Sequence, residues 1–196
     1  MAADSIRLLA FGDSLTAGYN LAAGDAFPAK LEGALRAKGY SVQVINGGVS
    51  GDTSAGGRAR LDWALSDRPD FAIVELGAND ALRGIDPKVT AANLDAILSR
   101  LRQRGVKVLL AGMLAPRNMG TDYVREFDAI YPRLAKAHGV PLYPFFLEGV
   151  AMRRELTLPD GMHPNAQGID VVVRGILPAV EDLIGPPRRS AATGAP

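Results

Sequence analysis

Five short apolar segments of strand length alternate with segments of helical periodicity along this chain of 196 residues. Strands that are separated by helices pair in parallel, because a helical crossover returns the chain to the edge of the sheet from which it started. The alternation therefore predicts an α/β fold, a three-layer α/β/α sandwich around a five-stranded parallel sheet with right-handed crossovers. The predicted strands cover residues 6–11, 42–45, 71–76, 106–111 and 142–145.

The predicted helices carry apolar residues on one face, at the spacing of a helix that covers a sheet. One of them is expected to run unbroken through residues 121–138, and Pro178 is expected to kink the last helix of the chain. A chain of this length can bury a core as one domain, which we assign to residues 5–185. The small, polar and proline-bearing tail, residues 186–196, is expected to be disordered.

Charge and cysteine content exclude several classes of protein. The chain has 22 Lys and Arg residues against 21 Asp and Glu and no long basic run, which argues against a nucleic-acid partner. Without cysteine, disulfides, zinc-thiolate sites and cysteine nucleophiles are excluded. No apolar stretch is long enough to span a bilayer. As for oligomeric state, we expect a monomer. The residues fit both a cytoplasmic protein and a periplasmic or secreted one whose signal peptide has been removed.

The first predicted strand ends in Gly-Asp-Ser-Leu, residues 12–15, and delivers Ser14 to the edge where parallel sheets bind their ligands. A serine hydroxyl is a weak nucleophile and needs a base, a group that orients the base, and donors for an oxyanion. The chain has two histidines, and His138 lies on a helical core stripe, so His163 is left as the base. Asp160 precedes it by three residues and can orient the imidazole.

Two further strand ends carry candidate oxyanion donors. Gly51 follows the second strand in a glycine-rich turn whose spacing matches neither nucleotide-binding pattern. Its bare amide can approach a ligand closely, but taken alone an ordinary turn glycine is the better explanation of this residue. Asn79 follows the third strand, and its neutral amide can stabilise negative charge without titrating. An asparagine at such a place is also common in simple turns.

These blocks, in this order, resemble the SGNH (GDSL) hydrolase family over nearly the whole chain. The resemblance implies the flavodoxin-like sheet order 2-1-3-4-5. It also implies that Ser14, Asp160 and His163 form a catalytic triad, and that the Ser14 amide, Gly51 and Asn79 form the oxyanion hole.

Two longer segments are similar to the bacterial multifunctional thioesterase I/protease I/lysophospholipase subgroup, whose members hydrolyse aryl esters and acyl thioesters. They are Glu-Leu-Gly-Ala-Asn-Asp-Ala-Leu-Arg-Gly at residues 75–84 and Ile-Tyr-Pro-Arg-Leu-Ala-Lys at residues 130–136. Ala78 stands where the subgroup often has glycine, which should narrow the space behind Asn79 without removing its amide.

The resemblance implies a serine esterase that acts on aryl and short to medium acyl esters, and on acyl thioesters, through an acyl-enzyme. We expect no cofactor and no metal, and a small ester or thioester as the partner. Apolar residues near the triad are expected to bind the acyl group. They are Leu82, Gly84, Ile85, Met113, Leu114, Pro116, Leu158 and Met162.

Three other functions would also use residues of this pattern. A carbohydrate O-acetylesterase would use the same catalytic residues with a different groove. A metal-dependent phosphoesterase would use Asp13, Asp52, Asp160 and His163, which form a poor ligand set because a single histidine is free for it. A non-catalytic module of flavodoxin type would bind a small ligand at the same sheet edge.

Overall fold

The computed structural model describes residues 5–187 of the chain. Its strands form one parallel sheet in the order β2-β1-β3-β4-β5, which confirms the predicted fold and sheet order. The strand bounds are Ile6–Gly12 (β1), Val42–Gly48 (β2), Phe71–Glu75 (β3), Lys107–Ala111 (β4) and Leu142–Tyr143 (β5).

Helices cover both faces of the sheet. The second and last helices pack together on one face, and the third, fifth and seventh form a layer of neighbours. Because both faces are covered, the central strands β1, β3 and β4 are almost entirely buried and read as continuous apolar runs. The helix bounds are Ser14–Ala17 (α1), Phe27–Ala37 (α2), Ser54–Ala64 (α3), Ala78–Leu82 (α4), Pro87–Gln103 (α5), Thr121–Asp128 (α6), Ile130–His138 (α7) and Ala166–Ile184 (α8).

The prediction of one unbroken helix over residues 121–138 is wrong. The segment forms α6 and α7, which meet at Ala129. Pro132 explains the break, because it lacks the N–H that would bond to the carbonyl of Asp128 and is tolerated only in the first turn of a helix. Pro178, by contrast, lies on the exposed face of α8, and this helix continues through it to Ile184.

The edge strands differ in length from their predictions. β2 continues through Asn46, Gly47 and Gly48, which pair with the end of β1. A Cβ at Gly48 would collide with the backbone of Ala17, so the glycines that suggested a turn allow α1 to pass close to the strand. β5 stops at Tyr143, since the next residue, Pro144, has no N–H for the sheet.

The register brings the carboxyl ends of three strands to one level. Gly12 at the end of β1 pairs with Gly48 of β2 on one side and with Glu75 of β3 on the other. The segments that follow these strands therefore leave the sheet side by side.

None of the helices in residues 5–187 has the length and apolar character needed to cross a membrane. Of the tail expected to be disordered, residues 188–196 lie outside the described part of the chain.

Candidate active site

Ser14 is the first residue of α1, one step beyond the turn that ends β1. The Asp13 carboxylate caps this short helix by accepting the amide of Leu15 at 3.0 Å. A Cβ at Gly12 would collide with the side chains of Thr16 and Glu75, so a residue without a side chain is required beneath the turn. The local sequence thus holds the serine in one position at the carboxyl edge of the sheet.

A hydrogen-bonded line connects Ser14 to two residues near the other end of the chain. His163 Nε2 lies 2.9 Å from Ser14 Oγ, and His163 Nδ1 lies 2.7 Å from Asp160 Oδ2. The other oxygen of Asp160 accepts the backbone amides of Met162 at 2.9 Å and of His163 at 3.0 Å. The turn over residues 160–163 therefore fixes the carboxylate and the imidazole relative to each other.

The Asp160 carboxylate is held in its ionised form. Partial burial by itself raises its pKa, but the two backbone amides and the imidazole outweigh this and lower the pKa below its ordinary value. With an acceptor facing Nδ1, the imidazole carries its proton there and presents Nε2 to Ser14 as an acceptor. The arrangement can take a proton from the serine hydroxyl.

Tyr19 packs against the imidazole of His163, with ring centroids 4.5 Å apart and an angle of 36° between the planes. Tyr19 follows α1 and is exposed over two fifths of its surface. Sequence reasoning missed this contact, because a tyrosine in a loop carries no signal of the residue on which it packs.

Asn79 lies in the first turn of α4, directly after β3. Its side-chain nitrogen donates to the carbonyl of Asp52 at 2.9 Å and to Asp13 Oδ2 at 3.1 Å. These two bonds bring the segments after β1, β2 and β3 together. Asn79 thus lies beside the turn that carries Ser14 and the turn that carries Gly51.

Gly51 has a φ of +83°, a backbone conformation that side chains disfavour. Its carbonyl accepts a hydrogen bond from the Arg83 guanidinium at 2.8 Å. Within residues 5–187, the amides of Gly51 and Ser14 donate no hydrogen bond. Both amides can therefore donate to a ligand.

Two carboxyl groups that sequence reasoning left without a role in ester hydrolysis are buried under the nucleophile turn. Burial raises the pKa of Asp13 to about 6, although the Leu15 amide, His163 and Asn79 all act to lower it. Burial and the negative charge of Asp13 raise the pKa of Glu75 well above its ordinary value. Glu75 Oε2 accepts the Thr16 hydroxyl at 2.8 Å, and Oε1 has no partner in the described chain.

Arg60 in α3 joins the carboxyl ends of β1 and β2. Its Nε donates to Asp52 Oδ2 at 2.5 Å, and its terminal nitrogens each lie 2.8 Å from the carbonyls of Gly47 and Gly12. Asp52 is therefore bound to an arginine and Asp160 to a histidine. In residues 5–187 no three His, Asp or Glu side chains are grouped as ligands for a metal ion.

A cavity of about 290 Å³ opens beside Ser14, and its walls are mostly apolar. Five of the eight residues expected to bind an acyl group line it, namely Leu82, Met113, Leu114, Pro116 and Met162. Ser14, Asn79 and His163 line it as well. The other lining residues were not anticipated, and they are Leu15, Ala78, Phe145, Leu147, Ala151, Met152 and Gly161.

The remaining three expected residues do not line this cavity. The carbonyl of Ile85 binds the Tyr123 hydroxyl at 2.8 Å, and Gly84 lies against Met119. Leu158 lines a separate depression on the far side of the Asp160 turn. Phe145 was missed because the predicted fifth strand extended through it, whereas β5 ends at Tyr143. Leu147 follows two residues later and was not considered for the site.

Comparison with known proteins identifies relatives of nearly the whole chain. Residues 10–171 match the GDSL-like lipase/acylhydrolase family. An arylesterase of Vibrio mimicus is 43% identical over 164 residues, which cover 83% of this chain and 82% of that protein. The thioesterase 1/protease 1/lysophospholipase L1 of Escherichia coli K12 is 43% identical over 165 residues, 84% of this chain and 78% of that protein.

Solved structures of similar proteins share the fold of this chain. The crystal structure of TesA superimposes with a TM-score of 0.86 at 37% identity, and the match covers 90% of this chain and 99% of that one. Both the three-layer architecture and the order of the sheet are thus found in structures of this kind.

Proposed function

Because the chain belongs to the GDSL-like lipase/acylhydrolase family and is a carboxylic ester hydrolase, we propose that it transfers acyl groups from aryl and short to medium acyl esters, and from acyl thioesters, to water through Ser14. The observation that carries the proposal is the hydrogen-bonded line from Ser14 through His163 to Asp160 at the wall of an apolar cavity. The names of the relatives, an arylesterase and a thioesterase, support both kinds of leaving group.

In the proposed reaction, His163 Nε2 accepts the Ser14 proton while the serine oxygen bonds to the carbonyl carbon of the substrate. The carbonyl oxygen takes up the displaced electron pair as an oxyanion. The bond to the leaving alcohol or thiol then breaks, and the imidazolium returns its proton to that group. Water repeats the two steps on the acyl-enzyme and releases the acid.

The proposed oxyanion hole consists of neutral donors, the amides of Ser14 and Gly51 and the side-chain amide of Asn79. Such donors stabilise the tetrahedral intermediate without titrating in the working pH range. The unused amides of Ser14 and Gly51 support this assignment.

Replacing Asn79 with alanine is expected to lower kcat by roughly a hundred- to a thousandfold, with little change in KM, because the donor acts on charge that develops in the transition state. Steady-state kinetics on a p-nitrophenyl ester measures both constants. A variant with a raised KM and an unchanged kcat would show that Asn79 binds the ground state instead.

The lining of the cavity favours substrates with an apolar acyl group. Of residues 5–187, no Asp, Glu, Lys or Arg lines it, so a fixed charge on the acyl chain would find no ionic partner among them. A carbohydrate O-acetylesterase would need polar groups to bind sugar hydroxyls, and the Met113, Leu114 and Met162 side chains supply none.

Acyl-chain preference tests this proposal. A series of p-nitrophenyl esters and acyl-CoA thioesters of increasing chain length is expected to show kcat/KM rising from acetyl to medium chains. Leu114→Asp, which places a charge at the partly exposed wall of the cavity, should remove the gain for the longer chains. Val89→Asp is the matched control, since Val89 is similarly exposed on α5 and lies outside the cavity. If wild type and Val89→Asp both hydrolyse acetylated sugars with a higher kcat/KM than any ester of the series, the carbohydrate O-acetylesterase is favoured instead.

A further inference from the structure

The two oxygens of the fully buried Asp13 carboxylate have different partners. Oδ1 accepts the amide of Leu15 at 3.0 Å and so caps α1. Oδ2 accepts the side-chain amide of Asn79 at 3.1 Å. One carboxylate therefore joins the helix that carries the serine to the residue proposed as an oxyanion donor.

The Asn79 side-chain amide has two hydrogens and two acceptors, Asp13 Oδ2 and the carbonyl of Asp52. The first acceptor lies after β1 and the second in the turn after β2. Rotation of the amide would break both bonds inside a half-buried site, where unpaired polar groups are costly. The two acceptors thus fix the plane of the amide at the cavity wall. Since each hydrogen already has an acceptor, an oxyanion would bind as the second acceptor of one of them, in a three-centre hydrogen bond.

We propose that Asp13 is a positioning residue for the oxyanion hole, whose carboxylate holds the Asn79 amide in the orientation that receives the oxyanion beside Ser14. The inference rests on the proposed function, because it assigns Asp13 a task through Asn79. Asp13 itself touches no reacting atom, and its effect passes through a single hydrogen bond.

If Asp13 acted on the reaction only through its charge, it would lower the rate instead of raising it. The Asp13 carboxylate adds negative charge near a developing oxyanion, which by itself disfavours the transition state. The titratable groups around it are His163, Asp52 and Glu75, and the charged Arg60 guanidinium is bound to Asp52. Asp13 favours the reaction only if its orienting effect on Asn79 is larger than this electrostatic penalty.

Asp13→Asn separates these effects with little change in shape. The new side chain can still accept the Leu15 amide through its oxygen, but its NH₂ group then faces the NH₂ group of Asn79 and the bond between the two side chains is lost. We expect kcat to fall about ten- to a hundredfold with little change in KM, as for the loss of one hydrogen bond to a charged group. Assays at mildly alkaline pH keep the wild-type carboxyl, with its pKa of about 6, ionised.

A double-mutant cycle tests whether the effect passes through Asn79. In an Asn79→Ala background, Asp13→Asn is expected to change kcat by less than about threefold, because the group that it orients is absent. Equal losses in both backgrounds, an unchanged kcat or a faster Asp13→Asn enzyme would each overturn the proposal.

Two further variants make the cycle decisive. Asp13→Ser keeps a helix-capping hydroxyl and also removes the acceptor for Asn79, so it should repeat the kcat loss. Asp86→Asn is the matched control, since Asp86 caps α5 in the same way through the amide of Lys88 at 2.8 Å, and it should leave kcat unchanged. If circular dichroism shows both Asp13 variants unfolded, Asp13 serves the fold and the positioning role is overturned. An active Ser14→Ala variant would instead overturn the proposed function.

Discussion

Ser14→Ala is expected to lower ester hydrolysis on the order of a millionfold while the protein stays folded, because the hydroxyl forms the bond to the substrate and no other group on the line from Asp160 can replace it. Ser14 is 9% exposed and its hydroxyl contacts His163, so removing one oxygen leaves no large cavity. The measurement is kcat/KM on a p-nitrophenyl ester, with thermal unfolding as the check on folding.

Ser41→Ala provides the matched control, because Ser41 is an exposed serine before β2 whose carbonyl alone takes part in the sheet. A fluorophosphonate probe adds a direct readout, since it should label the wild type and the control once per chain and leave Ser14→Ala unlabelled. Turnover of more than a small fraction of wild type by Ser14→Ala, with contaminating esterase excluded, would contradict the nucleophile assignment.

The sequence is sufficient to predict the sheet because its strands are buried on both faces. β1, β3 and β4 consist mostly of apolar residues and are followed by glycine or end in a polar residue, a pattern with few alternatives. The errors arise at proline and glycine. Pro132 ends α6 early, and Gly48 continues β2 where glycine suggested a turn. The break comes from the missing N–H of Pro132, and Gly48 continues β2 because α1 passes close to it, neither of which the periodicity of apolar residues reveals.

The strand ends also predict which side chains share the candidate site. Ser14 and Asn79 follow neighbouring parallel strands, so the sheet order alone brings them to one edge. His163 followed from elimination among two histidines, and the structure brings it within 2.9 Å of a residue 149 positions away. The spacing of three residues from Asp160 was enough to expect their contact.

The interactions beneath the site could not be predicted in this way. The bond between Asp13 and Asn79, the burial of Glu75 and the packing of Tyr19 on His163 depend on register and on the path of loops. Each of these residues has an ordinary local explanation, such as a helix cap or a turn. Their partners lie on other elements, so no local pattern identifies them.

Asp160→Asn is expected to lower the plateau of kcat/KM on the order of a thousand- to ten-thousandfold, because the imidazole loses the group that fixes its tautomer and stabilises its protonated form. Activity should rise with pH as the base becomes neutral, and the position of this acidic limb is the second readout. The pKa of Asp160 is lowered, so its carboxylate is ionised throughout the limb and favours the imidazolium. Removing that charge should therefore move the limb to lower pH.

The chain contains a control for this substitution in a second aspartate and histidine pair. Asp95 Oδ1 lies 2.8 Å from His138 Nε2, far along the chain from the turn that holds His163, and neither residue lines the cavity beside Ser14. Asp95→Asn makes the same chemical change and should leave both the plateau and the limb in place. The profiles of wild type and both variants are measured on one neutral aryl ester, whose own charge does not change with pH. If Asp160→Asn and Asp95→Asn give the same profile as wild type, His163 is oriented by another group, and the bond of 2.7 Å between Asp160 and His163 has no part in the reaction.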